Sequence, residues 1–334
     1  MTSTQVISLL LSTGAVSTLL CAVYLRAARR RRILDLPNAR SSHAAPTPHG
    51  GGVPLLLAFY AGLLVAGVLG VQWPAALTAI AGLSALLMVL GVVDDIRGLT
   101  VRTRLAAYGG LCLLAATLLF DGASPAPLSA GALWIPVAAL AMLWFLNLYN
   151  FMDGIDGIAG LQAVLALVSA SLLVWLSGGD LSTALFCLLL AAAHGGFLVL
   201  NWPPARLFMG DAGSVPTGFL LASLAVCTAL AGQLSIYCWL ILLACFVVDA
   251  SWTLGWRIIT GQPFTEAHRL HAYQRLARAW QSHAAVDTLL LSVFLVWLLP
   301  LAFAASVWPR HALILVIVTY LPLLFGMAKT ATFK

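Results

Sequence analysis

Charge is what this 334-residue chain has least of: Asp, Glu, Lys and Arg make up 8% of it, against 62% hydrophobic residues and a mean hydropathy of +1.00. An ordinary soluble domain carries about a quarter of its residues as charges, so that class is excluded. Sequence repeats, low-complexity linkers and CxxC spacings are also missing. The six cysteines (Cys21, Cys112, Cys187, Cys227, Cys238 and Cys245) all fall within apolar runs, which makes them packing residues rather than thiolate metal ligands. The net charge of +6 is not gathered into a nucleic-acid-binding patch and fits basic loops facing anionic lipid headgroups, so no nucleic acid is expected.

Long apolar runs take the place of charge. A span needs roughly 20 mostly apolar residues, and eleven candidates run over about 5–25, 53–71, 74–93, 105–121, 131–150, 157–177, 181–200, 214–232, 234–254, 285–305 and 310–327. The expected fold is an all-α polytopic membrane protein with cytoplasmic active-site loops, and residues 1–334 form one integral membrane domain. Arg29, Arg30, Arg31 and Arg32 follow the first run, whereas a cleavable signal peptide carries its basic residues before its apolar stretch, so the first run reads as a retained span. Placing the loop after it in the cytoplasm leaves only Arg310, of 17 Lys and Arg, on the other side. The positive-inside rule then gives an external N-terminus and a cytoplasmic C-terminus.

The 11 acidic residues are therefore informative, because a carboxylate near hydrocarbon is costly unless paired, hydrated or bound to metal. Five of them occur in three motifs that each follow an odd-numbered span, and so share one membrane face. Asp94-Asp95 comes first, with Arg102 and Arg104 behind it. The second motif places Asn147, Asn150, Asp153 and Asp156 within ten residues, with Gly154 and Gly157 directly after the two aspartates. The third runs from Asn201 through Phe208, Met209, Gly210 and Asp211 to Ser214. Hard oxygen donors beside glycines suit a cation such as Mg²⁺ that keeps waters and substrate phosphates in its shell. Read blandly, the same residues are a neutralised helix end, a polar helix contact and a capped turn. Two further polar segments, one with Arg40 and His43 and one with His268, Arg269, His271, Arg275 and Arg278, lie in the longest loops. If the second of these is helical, it forms an interfacial helix with a basic face and an apolar one. Its bland reading is a membrane-surface anchor.

In this order, Asp-Asp, then Asn-x-x-Asn-x-x-Asp-Gly-x-Asp-Gly, then Phe-Met-Gly-Asp-x-Gly-Ser, then a His/Arg-rich loop, the chain resembles the polyprenyl-phosphate N-acetylhexosamine-1-phosphate transferases, glycosyltransferase family 4, along essentially its whole length. The resemblance implies that Asp94 and Asp95 act in catalysis or lipid-phosphate handling, that Asn150 and Asp211 lie at the metal, and that Asp156 and Phe208 hold uracil. Asn147, Asp153, His268, Arg269 and His271 are expected on the donor, and Arg40, His43, Arg102 and Arg104 near phosphate. It also implies Mg²⁺, with Mn²⁺ as a substitute, together with a UDP-N-acetyl-sugar, undecaprenyl phosphate and membrane lipids as partners; a homodimer is the assembly to test. The loop reads His271-Ala272-Tyr273-Gln274 where the muramoyl-pentapeptide branch has adjacent histidines. That departure points to O-antigen initiators using N-acetyl-fucosamine or N-acetyl-quinovosamine donors. An N-acetylglucosamine donor is the alternative within the family. A lipid-linked sugar transporter is the alternative outside it, although transporters place their sites near the midplane.

Overall fold

The computed structural model describes residues 1–35, 45–123, 133–262 and 269–330. Its helices are α1 (Ser3–Arg31), α2 (Gly52–Val68), α3 (Ala75–Arg97), α4 (Val101–Ala123), α5 (Trp134–Met152), α6 (Ile158–Leu176) and α7 (Leu181–Asn201). They continue as α8 (Asp211–Leu230), α9 (Ile236–Leu242), α10 (Ala244–Ile259), α11 (Ala272–Trp280), α12 (His283–Val293), α13 (Leu299–Val307) and α14 (Ala312–Thr330). A π-helical turn, Phe294–Leu298, joins α12 to α13 in one span-length unit.

The chain is an all-α polytopic membrane protein. Among the described residues nine helical segments are long and apolar enough to cross a bilayer, and α9 with α10 would make a tenth. The 17-residue α2 is shorter. The expected straight span over 234–254 is instead two helices bent by 76° at Leu243. Beyond the bend, Asp249, Thr253 and Arg257 recur every four residues and are all buried, so α10 carries a polar inner face where a membrane-crossing helix would carry apolar ones. The expected helix in the last loop is also shorter: α11 has nine residues, with His271 at its N-cap.

Helix α8 is the centre of the bundle. It packs against α2, α3, α4 and α5 and is more deeply buried than any other span among the described residues. Close approach at its start depends on glycine: a Cβ on Gly91 of α3 would lie 2.5 Å from Ala212 Cα and 2.6 Å from Asp211 O, backbone atoms that cannot move aside. Residues 48–52 are stitched to the same place, since Phe208 N–H donates to Pro48 O at 2.8 Å and Gly51 N–H to Phe208 O at 2.8 Å. Around this centre Phe59, Phe186, Phe197, Phe219 and Trp239 are fully buried. Deep in the bundle, buried His194 has both ring nitrogens paired, with Leu190 O at 2.9 Å and Thr217 Oγ1 at 3.1 Å, which lowers the cost of a polar ring in a membrane interior.

Candidate active site

The polar ends of α3, α5 and α8 converge on one basin. Asp211 is the first residue of α8, preceded by Gly210 in the left-handed region at φ +73°, a turn that glycine makes without strain. Its Oδ1 accepts from Asn150 Nδ2 at 2.7 Å, and the same amide donates to Ser214 Oγ at 2.8 Å. Residues of the second and third motifs, 61 positions apart, are thus in direct contact.

The two adjacent aspartates of α3 divide their work. Asp94 is buried; its Oδ1 accepts from Leu99 N at 2.7 Å and its Oδ2 from Arg104 at 3.0 Å. Arg104 also lies 3.6 Å from Asp211 Oδ2, so one guanidinium spans the first and third motifs. Asp95 accepts from the backbone nitrogens of Asp211 at 3.2 Å and Ala212 at 3.3 Å. Two otherwise unpaired N–H groups at the start of α8 are thereby satisfied by a negative charge, the arrangement a helix N-terminus favours. Asp95 is a helix anchor in addition to any part it plays in catalysis.

Asp153 follows α5 directly, at its C-cap. Burial, reinforced by the negative charges of Asp211, Asp156 and Asp95, pushes its carboxyl up to about 7. The basin is thus crowded enough with acid groups that a neighbouring positive charge is favoured there. Asp156 is buried, and its Oδ2 accepts from Ala205 N at 2.9 Å and lies 3.3 Å from His283 Nδ1.

Beside Asp156 opens a pocket of about 660 Å³, lined also by Pro203, Arg269, Gln274, Arg278 and His283. That volume is within the roughly 300–1,000 Å³ typical of small-molecule sites. Arg278 donates from both terminal nitrogens to Arg269 O at 3.1 Å, closing the wall around it.

Other expected site residues lie apart from this network. Asn147 donates to Leu143 O at 2.7 Å, one turn back in its own helix. Arg102 is exposed near the start of α4. Phe208 is half-buried in the segment paired with Pro48 and does not line the 660 Å³ pocket. His271 is buried, with its Nδ1 3.2 Å from Asp249 Oδ1, and does not line that pocket either. Asp249 also accepts from the backbone nitrogens of Ala272 at 3.0 Å and Tyr273 at 3.1 Å, so it caps α11 and fixes the loop. Arg40, His43 and His268 lie outside the described residues.

Sequence reasoning missed Ser214 as Asn150's second partner, and also His283, Gln274 and Asp249. For His283 a signal was present: Ser282-His283 opens the tenth apolar run on the cytoplasmic side, where a serine cap and a titratable ring precede a span.

The donor set suits a hard cation. Among the described residues no three His, Cys, Asp or Glu side chains form a closed metal cage. Mg²⁺ does not need one, since it binds through one or two carboxylates and completes its shell with water and substrate phosphates. Asp211 accepts from the Asn150 amide and lies 3.6 Å from the Arg104 guanidinium, with no thiol or imidazole among its partners in the described residues, and Asn150 uses its nitrogen twice, so its carbonyl oxygen is the atom it would offer a cation.

Residues 77–229, which hold all five basin aspartates, match the profile of glycosyl transferase family 4. The chain is 25% identical over 307 residues to a Bacillus subtilis protein named "Probable undecaprenyl-phosphate N-acetylglucosaminyl 1-phosphate transferase", covering 87% of this chain and 83% of that one. It is 28% identical over 325 residues to the decaprenyl-phosphate N-acetylglucosaminephosphotransferase of Mycobacterium tuberculosis, covering 84% of this chain and 76% of the relative. To the phospho-N-acetylmuramoyl-pentapeptide-transferase of a Synechococcus species it is 36% identical over 203 residues, 54% of each chain. The three acidic motifs that meet at the basin all lie in the stretch that matches glycosyl transferase family 4, and the relatives similar over most of the chain are named as polyprenyl-phosphate sugar-phosphate transferases.

Proposed function

We propose that the chain transfers an N-acetylhexosamine-1-phosphate from a UDP-sugar to undecaprenyl phosphate, releasing UMP. The observation that carries this reading is the meeting of three acidic motifs at Asp211, with Asn150 at 2.7 Å and Arg104 bridging to Asp94. Similarity to polyprenyl-phosphate sugar-phosphate transferases of two organisms supports it.

In the reaction, an oxygen of the lipid phosphate bonds to the β-phosphorus of the donor while the bond to the UMP oxygen breaks and UMP leaves. With a second pKa of about 6, the lipid phosphate is largely ionised at neutral pH and needs little help from a base. The protein's main tasks are then to align the two phosphates and to balance their charge. Arg104 supplies fixed positive charge between Asp94 and Asp211. Asp95 holds the start of α8, and thus Asp211, in register through two backbone bonds. Asp156, with His283, forms the wall of the pocket assigned to the nucleotide end of the donor. A Mg²⁺ ion held by Asp211 and Asn150 would neutralise pyrophosphate charge when bound.

We place the basin at the cytoplasmic face of a bacterial inner membrane, on the one-sided distribution of Lys and Arg. A thiol introduced in place of Arg206, in the third motif's loop, is expected to react with a membrane-impermeant maleimide only after the inner membrane is opened. Labelling in cells with that membrane intact would reverse the orientation.

The preferred donor is proposed to carry N-acetyl-fucosamine or N-acetyl-quinovosamine, for initiation of O-antigen or a related surface polysaccharide, because the loop reads His271-Ala272-Tyr273-Gln274. The relatives' names favour a second reading, N-acetylglucosamine. A panel of the three UDP-sugars, compared by kcat/KM for UMP release, separates them: the first reading expects N-acetylglucosamine to be the poorest donor, and is lost if it is the best.

A further inference from the structure

A second cavity, of about 170 Å³, lies between α10, the start of α11 and the end of α14. It is lined by Trp252, Thr253, Trp256, Arg257 and Arg275, among others, and shares no residue with the 660 Å³ pocket. At roughly half the lower limit of ordinary small-molecule sites, it is too small for a nucleotide sugar. A phosphate group and the first carbons attached to it would fit.

Its chemistry is divided by depth. Arg257 is 3% exposed, on the inner face of α10 with Thr253 one turn away. Arg275 is half-buried on α11 and donates to Thr330 O at 3.4 Å, which ties α11 to the end of α14. Both charged residues of the lining are arginines, and no carboxylate lines the cavity among the described residues. Toward the outside, Trp252 and Trp256 are four residues apart on α10 and are 38% and 54% exposed. Indole rings at a membrane boundary sit at headgroup depth, and the last turn of α14, with Met327, Ala328 and Thr330, lines the same cavity.

We propose that this cavity binds the phosphate of an anionic glycerophospholipid from the surrounding leaflet. Arg275 gives charge-assisted hydrogen bonds to the phosphate oxygens, Arg257 adds positive charge behind it, and the tryptophans flank the glycerol and upper acyl carbons. Polyprenyl phosphate is the other phosphate source in this membrane. None of the basin aspartates lines the cavity, so a phosphate held here would not be in position to react. Occupancy also reaches the donor pocket: Ala272 and Arg275 line the lipid cavity, while Gln274, Ala277 and Arg278 of the same short helix line the pocket beside Asp156. A bound lipid would set the position of α11 from behind.

The test is native mass spectrometry of the full chain in neutral detergent, titrated with phosphatidylglycerol or with phosphatidylcholine of the same acyl chains. Phosphatidylglycerol is expected to stay bound at lower concentration than phosphatidylcholine. Arg275→Gln, a change at a partly exposed position that spares buried Arg257, is expected to weaken retention of one phosphatidylglycerol about fivefold, the effect of one basic residue near an anionic surface. Trp256→Ala is expected to weaken both lipids. Equal retention of the two lipids by the unaltered chain, or no effect of Arg275→Gln, overturns the proposal. It is equally overturned if undecaprenyl phosphate displaces the lipid one for one and loses affinity in Arg275→Gln, because the cavity would then be part of the acceptor's path.

Discussion

Replacing Asp211 by Asn is expected to slow UMP release on the order of 100–1,000-fold, the range seen when one preorganised electrostatic group is removed from a reaction centre. The substitution keeps size and shape. An amide at residue 211 can still pair with Asn150 and the N-terminus of α8 can still be capped by Asp95, so the fold should persist. What is lost is a negative charge and a hard oxygen at the point where the three motifs meet, next to Arg104 at 3.6 Å. Turnover by the purified variant, with its thermal midpoint as a control, checks this. A rate close to that of the parent at ordinary Mg²⁺ would remove Asp211 from the reaction centre.

Arg104→Ala is expected to be nearly as damaging and to differ in kind. Arg104 neutralises buried Asp94 at 3.0 Å and reaches Asp211, so its removal leaves these two carboxylates of the basin without the cation that bridges them. An anionic substrate then meets a more negative site, and kcat/KM is expected to fall on the order of 100-fold. Stability should fall too, by about 1–3 kcal/mol, less than for a fully buried pair because the arginine itself is partly solvated. Arg104→Lys restores the charge without the fork that spans two carboxylates, so partial recovery of rate is expected. A variant that loses stability but keeps its kcat/KM would show that Arg104 serves the fold alone.

These two residues also show how far the sequence could be read. Placing Asp94, Asp153 and Asp211 on one face followed from hydropathy alone, because each motif closes or opens an apolar run at the same membrane side. Which arginine would reach them did not follow from that pattern. Arg102 and Arg104 are two positions apart, about 200° around a helix, so only one could face Asp94, and the packing of α4 decides which. Asn147 was expected on the donor, but its amide bonds back to Leu143 O, the local option that any helical asparagine has.

The bend at Leu243 was hidden for a different reason: residues 234–254 remain apolar through it, and only the fourfold spacing of Asp249, Thr253 and Arg257 beyond it records that α10 turns a polar face inward. His271 was expected on a basic face toward the donor, yet it turns to Asp249, which lies 22 positions earlier on another helix, a pairing that no local pattern encodes.

The central claim is tested most directly with the purified chain in lipid nanodiscs, given a UDP-N-acetylhexosamine, Mg²⁺ and undecaprenyl phosphate, by following UMP and the lipid product together. The account predicts UMP and undecaprenyl diphosphate-linked sugar in equal amounts, with neither formed when the lipid phosphate is omitted. Sugar movement across the membrane without UMP release, or UMP release that does not need the lipid phosphate, would contradict it.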